Sequence, residues 1–218
     1  MRLRRNGNRA KPMHLYYSVK NGDHLPCEAR TEVKACWWAE VSPDVVGYQT
    51  QPHTLRMVVS GKSGSYTPDL QLNLAGGGIQ ILEIKNRFDE AKDPAYSQKL
   101  RQAAMVYGAL GYDFRVVETA DLEQEPMFSA VATLQRYKTV AVDPQTADAV
   151  VELLATGPKP LARVLERAPS GPRGLASIAS MMVKRAVGVD LRHGLVADAA
   201  VALVKGNDVG APLFAADR

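Results

Sequence analysis

Apolar and polar positions alternate most regularly between Leu70 and Ile84. Leu70, Leu72 and Leu74 make one run, and Ile79, Ile81, Leu82 and Ile84 make the next. Ala75-Gly76-Gly77-Gly78 lies between them. A period of two marks half-buried strands, and glycines between two such runs mark the turn of a β-hairpin. Upstream, residues 26–40 contain no interior breaker, Pro26 suits a first helical turn, and Ala29, Val33, Cys36 and Trp37 track one side. This predicts a helix. A turn at Pro43-Asp44, a strand ending at Pro52, a strand from His53 to Val59 and a turn over Lys62–Ser65 then lead into the hairpin. After a polar loop over 86–94, Leu100, Ala103, Ala104, Tyr107 and Leu110 recur at helical spacing, predicting a helix over 95–110 stopped by Gly111. Residues 112–119 read as another strand, and 121–137 as a helical segment.

The pattern changes at Val140–Pro144. Segments 145–155, 161–168 and 175–187 read as short helices, broken at Gly157-Pro158, Pro169–Pro172 and Gly188. Segments 191–196 and 200–204 read as two paired strands. Three helices and a hairpin predict a small winged-helix domain. The fold class is therefore α/β, a mixed sheet flanked by helices, and the chain divides into an arm (1–22), a sheet-containing domain (23–142), a winged-helix-like domain (143–206) and a tail (207–218).

With 218 residues, 46% of them hydrophobic, the chain can bury a sizeable core. No apolar run approaches the ~20 residues of a membrane span, and the N-terminus lacks the apolar stretch of a secretory signal. A cytoplasmic, nucleoid-associated protein with no membrane partner is expected. Cys27 and Cys36 lie outside any zinc-binding spacing and are expected to be reduced helix residues. The net charge is only +4, but Arg2, Arg4, Arg5, Arg9, Lys11 and Lys20 all precede the first acid, Asp23. Such an arm is either a clamp on phosphates or a solvated terminus. Lys184 and Arg185, on the third C-terminal helix, are further DNA-binding candidates. The N-terminal half of that helix offers Ser177, Ser180 and apolar residues, which suits docking of a protein equally well.

Candidate chemistry gathers at the hairpin. Asp69 opens its first strand, while Glu83 and Lys85 close the second and, being two apart, share a face. An antiparallel hairpin sets the start of one strand beside the end of the other. Two carboxylates and an ammonium at one sheet edge suit Mg²⁺, with Mn²⁺ as its substitute, because a hard ion takes oxygen ligands and keeps several waters. The lysine would orient or help deprotonate an attacking water. On the preceding helix, Glu28 and Glu32 are four apart and share a face.

The sequence Pro68-Asp69…Glu83-Ile84-Lys85 resembles the P-D…(D/E)-x-K signature of the restriction-endonuclease-like nucleases. The ordered set of a helix carrying Glu32, then Val41-Ser-Pro-Asp-Val-Val46, Gln51-Pro52, Tyr66-Thr-Pro-Asp69 and Glu83-Ile-Lys85 resembles the N-terminal domain of TnsA-type transposon endonucleases. That resemblance implies a restriction-endonuclease-like mixed sheet and Mg²⁺-dependent cutting of double-stranded DNA at transposon ends. It implies a metal site of Asp69, Glu83 and a helix glutamate, with Lys85 and Gln51 completing the catalytic set. Spacing to Gln51 selects Glu32, with Glu28 one turn away. It also implies two partners, a companion transposase and a transposition ATPase that engages the C-terminal domain. Alternatives are a stand-alone phage or repair nuclease and a non-catalytic DNA-binding or assembly protein on the same fold.

Overall fold

The computed structural model describes residues 13–59, 61–206 and 214. The arm cations Arg2, Arg4, Arg5, Arg9 and Lys11 lie outside the described residues, as does the tail apart from Phe214. Strands β1 (His14–Ser18) and β2 (Asp23–Cys27) form an antiparallel hairpin, so the end of the segment read as a basic arm is a strand. Lys20, in the turn, is no solvent-facing clamp: its Nζ donates to the carbonyls of Ala39 and Ser42 at 2.9 and 2.7 Å. Helix α1 (Arg30–Val41) starts later than the pattern predicts, because Pro26 pairs with Leu15 in β2.

Next come β3 (Val45–Thr50), β4 (Leu55–Val59), β5 (Lys62–Tyr66), β6 (Leu70–Leu74) and β7 (Ile79–Lys85). Lys62–Ser65 is a strand rather than the predicted turn, pairing with β4 so that Met57 lies opposite Gly64. Helix α2 (Pro94–Ala109) crosses over to β8 (Asp113–Glu118). The main sheet runs β3-β6-β7-β8, antiparallel except for β7 and β8, which are parallel. Both faces are covered. Leu70, Leu72, Leu82 and Ile84 pack in one core with Ala35, Cys36 and Ala39 of α1, while Ile81 packs in another with Leu100, Ala103 and Tyr107 of α2. Covering both faces explains why adjacent Ile81 and Leu82 are both apolar, and each such side chain contributes roughly 1.5–3 kcal/mol by burial.

The chain continues through α3 (Thr119–Leu122), α4 (Met127–Gln135), α5 (Pro144–Leu154), β9 (Lys159–Pro160), α6 (Leu161–Leu165), α7 (Pro172–Val183), β10 (Val187–Val189) and β11 (Ala200–Leu203). Here the small sheet is three-stranded, in the order β10-β11-β9. The partner of β11 is Val187–Val189, not the predicted 191–196. Val187 and Val189 bury into the local core, whereas Asp190 and Arg192 pair with each other in the loop beyond. That core also takes in Val41 of α1 and Val131 and Leu134 of α4, so the two halves of the chain share apolar packing.

One buried carboxylate ties the N-terminal hairpin to α1. Glu40, with no exposed surface, accepts from Ser18 Oγ at 2.8 Å, from the amides of Val19 and Lys20 at 2.7 and 3.1 Å, and from the Tyr48 hydroxyl. A polar group this deep is tolerated because its lone pairs are filled. Cys27, in a strand rather than a helix, and Cys36 are free thiols with their sulfurs 3.9 Å apart.

Candidate active site

The register of β6 and β7 sets Leu70 opposite Leu82, and the Asp69 amide extends the ladder by donating to Leu82 O at 3.1 Å. Asp69 therefore sits beside the end of β7, where its Oδ2 accepts from the Ile84 amide at 2.7 Å. Glu83 and Lys85, on either side of Ile84, project to one face of the pleat. Lys85 Nζ lies 2.5 Å from Glu83 Oε1 and 4.8 Å from the centre of the Tyr96 ring.

Glu83 is 3% exposed. Its Oε2 accepts from the Tyr66 hydroxyl at 2.6 Å, and its Oε1 accepts from the Tyr96 hydroxyl. These two tyrosines, one at the end of β5 and one in the first turn of α2, orient the carboxylate and supply what burial takes away. Sequence reasoning missed both. Their signal was weak: Tyr66 adjoins the Thr-Pro-Asp turn, but Tyr96 reaches the site only because α2 folds back over the sheet.

Only one of the two glutamates is a helix residue: Glu32 lies in the first turn of α1, whereas Glu28, expected one turn away on the same helix, precedes the N-cap Ala29. Glu32 is 8% exposed, and its Oε2 reaches back to accept from the Glu28 amide at 2.8 Å. That bond ties the residue before the N-cap to the first turn of α1, while the N-cap, Ala29, makes no side-chain cap bond. Glu28 is exposed, and its Oε1 accepts from Gln51 Nε2 at 2.9 Å. Gln51 is joined to the hairpin as well, its amide donating to Asp69 O at 3.0 Å. Its φ of 44° is left-handed, a conformation that costs a non-glycine residue roughly 1–2 kcal/mol.

Charge crowding shows in the titration of the site. Burial, then the charge of Glu83, pushes Asp69 from 3.8 up to about 7, with Glu32 adding to the rise; the Ile84 amide and Lys85 oppose it. Burial alone would lower Lys85, but its bonds to Glu83 and Tyr96 outweigh that and raise it, so it stays a cation. Burial, then the bond to Glu83, pushes Tyr96 to about 12.

The other candidate DNA contacts lie elsewhere. Lys184 is exposed at the C-terminal end of α7, and Arg185 turns inward, its Nε donating to Pro43 O at 2.8 Å. Among the described residues, no group of three or more His, Cys, Asp or Glu side chains is arranged to hold a metal ion. The electrostatics nonetheless suit a cation, since Glu83 and Glu32 both bear on Asp69 and one ammonium, Lys85, opposes them. Mg²⁺ is commonly held by one or two carboxylates with water and substrate phosphate, not by a closed protein cage. No protein-family model and no curated protein matches this chain, so the functional reading rests on these residues and their arrangement.

Proposed function

We propose that the chain is a Mg²⁺-dependent DNA endonuclease of the TnsA type, a restriction-endonuclease-like domain followed by a winged-helix domain, cutting DNA at transposon ends within a transposition complex. The observation that carries this reading is the convergence of Asp69, Glu83 and Lys85 on adjoining strand ends, with Glu32 close enough to raise the Asp69 pKa. Asp69, Glu83 and Glu32 would hold the metal, which when bound activates water and offsets phosphate charge.

The chain's own residues divide the remaining work. Lys85 is kept protonated by Glu83 and Tyr96, which suits it to orient a water or bind a phosphate oxygen and not to remove a proton. Tyr66 and Tyr96 fix Glu83, and through it the ammonium. Gln51 links Glu28 to Asp69 and so ties the segment leading into α1 to the hairpin. Double-stranded DNA would enter over this edge, and a companion transposase and ATPase would supply the end to be cut. Phosphate contacts alone carry no sequence information, which is consistent with a nuclease directed by partners.

The test is calorimetric titration of Mn²⁺ into the wild type, Asp69→Asn and Lys85→Ala, with duplex cleavage measured in parallel in the presence of the partner proteins. The reading expects Mn²⁺ binding that Asp69→Asn weakens at least tenfold, and cleavage that both variants lose. Equal Mn²⁺ affinity in wild type and Asp69→Asn, or cleavage by Asp69→Asn at the wild-type rate, would refute it.

A further inference from the structure

The β4–β5 hairpin stands apart from the main sheet, paired only within itself, and packs against α2. Between it and the start of α2 runs a cleft of about 250 Å³. Small-molecule pockets are usually larger, at ~300–1,000 Å³. Met57 and Val59 lie on its β4 side, Lys62 and Gly64 on its β5 side, and Ala95 and Lys99 on α2.

Three observations give the cleft a chemical character. First, residues 53–68 include Arg56 and Lys62 but no acid. Second, neither Lys62 nor Lys99 has an ion-pair partner among the described residues, whereas Lys92 and Arg101 nearby are held by Asp89 and Glu90 at 3.6 and 2.7 Å. Third, the cleft adjoins the site: Lys99 Nζ lies 5.8 Å from the centre of the Tyr66 ring, and the Tyr66 hydroxyl holds Glu83. Gly64 borders open space, since a Cβ built there would meet nothing within 4 Å, so a larger side chain has room to enter it.

We propose that this cleft seats a backbone phosphate of duplex DNA beside the scissile one, with Lys62 and Lys99 as its cationic walls. The proposal rests on the endonuclease reading and adds the surface along which the duplex lies. Two lysines lining one open groove suit a phosphate contact that reads no bases, and such a contact fixes the register of the duplex on the protein.

The experiment measures fluorescence anisotropy of a labelled duplex between 50 and 200 mM salt, in EDTA, using the full chain. Wild type is compared with Lys62→Ala/Lys99→Ala, with Gly64→Val, which fills the cleft without changing charge, and with Lys92→Ala as a control. Losing one phosphate contact lowers the slope of log affinity against log salt by about 0.9, which narrows the affinity loss over this range by about 3.5-fold. The double variant and Gly64→Val are both expected to show that change with unaltered melting temperatures, while Lys92→Ala retains the wild-type slope. Wild-type binding with an unchanged slope in the double variant would overturn this proposal and leave the endonuclease reading standing. Absence of wild-type duplex binding at 50 mM salt would remove both.

Discussion

Replacing Asp69 with asparagine tests the charge crowding at the site without reference to catalysis. The native protein holds a proton on Asp69 up to about pH 7, whereas the unfolded chain releases it near 3.8. The stabilisation this gives is fully present below about 3.8 and is lost as pH rises through about 7. The full shift corresponds to about 4.4 kcal/mol at 1.36 kcal/mol per unit, and the part falling between pH 5 and pH 8 is about 2.6 kcal/mol. Asp69 is half-buried, and screening by solvent reduces the expected effect to about 1–2 kcal/mol. Asparagine keeps an oxygen for the Ile84 amide and cannot ionise. The stability difference between Asp69→Asn and wild type should therefore shift by about 1–2 kcal/mol in favour of the variant between pH 5 and pH 8. Urea unfolding of both proteins in EDTA at pH 5, 6, 7 and 8 measures this, because contributions from all other groups largely cancel in the difference. A difference constant to within about 0.5 kcal/mol, the scale of an ordinary surface substitution, would show that the carboxylate is not perturbed and would refute the argument.

Glu28 and Glu32 should separate cleanly: Glu32→Gln is expected to lose partner-stimulated cleavage, and Glu28→Gln to retain it within about threefold, with the reverse order moving the role to Glu28. Tyr96→Phe removes one of the two hydroxyls on Glu83 and should lower kcat about tenfold, equivalent to ~1.4 kcal/mol, with KM for DNA unchanged; a selective rise in KM would make the tyrosine a DNA contact instead. Glu40→Ala leaves four buried or half-buried donors around one lost carboxylate and should destabilise the protein by at least ~3 kcal/mol, read as a lower urea midpoint, while a loss under 1 kcal/mol would mean that water replaces the carboxylate.

What the chain declares locally is what the sequence alone determined. Alternation from Leu70 to Ile84 around three glycines specifies a hairpin, because side-chain period and turn chemistry are both short-range. Once the hairpin exists, its register brings Asp69 next to Glu83 and Lys85. The helix Pro94–Ala109 is legible for the same reason, its apolar residues recurring along one side. Where pairing rests on backbone bonds or on tertiary burial and not on apolar alternation, the sequence was silent. Lys62-Ser-Gly-Ser65 has the composition of a turn and becomes a strand through backbone bonds to β4, which need no apolar side chains. The partner of Ala200–Leu203 was settled by which flanking valines could bury, favouring Val187 and Val189 over the segment after Asp190. Lys20 reads as one more cation of a basic terminus until the turn carries its ammonium to the carbonyls at the end of α1. At the site, the residue types were legible but their electrostatic states were not. Burial, the charge of Glu83, and the approach of Tyr96 and Glu32 from two other elements set the charge on Asp69 and Lys85, and those distances exist only after the sheet and both helices have packed.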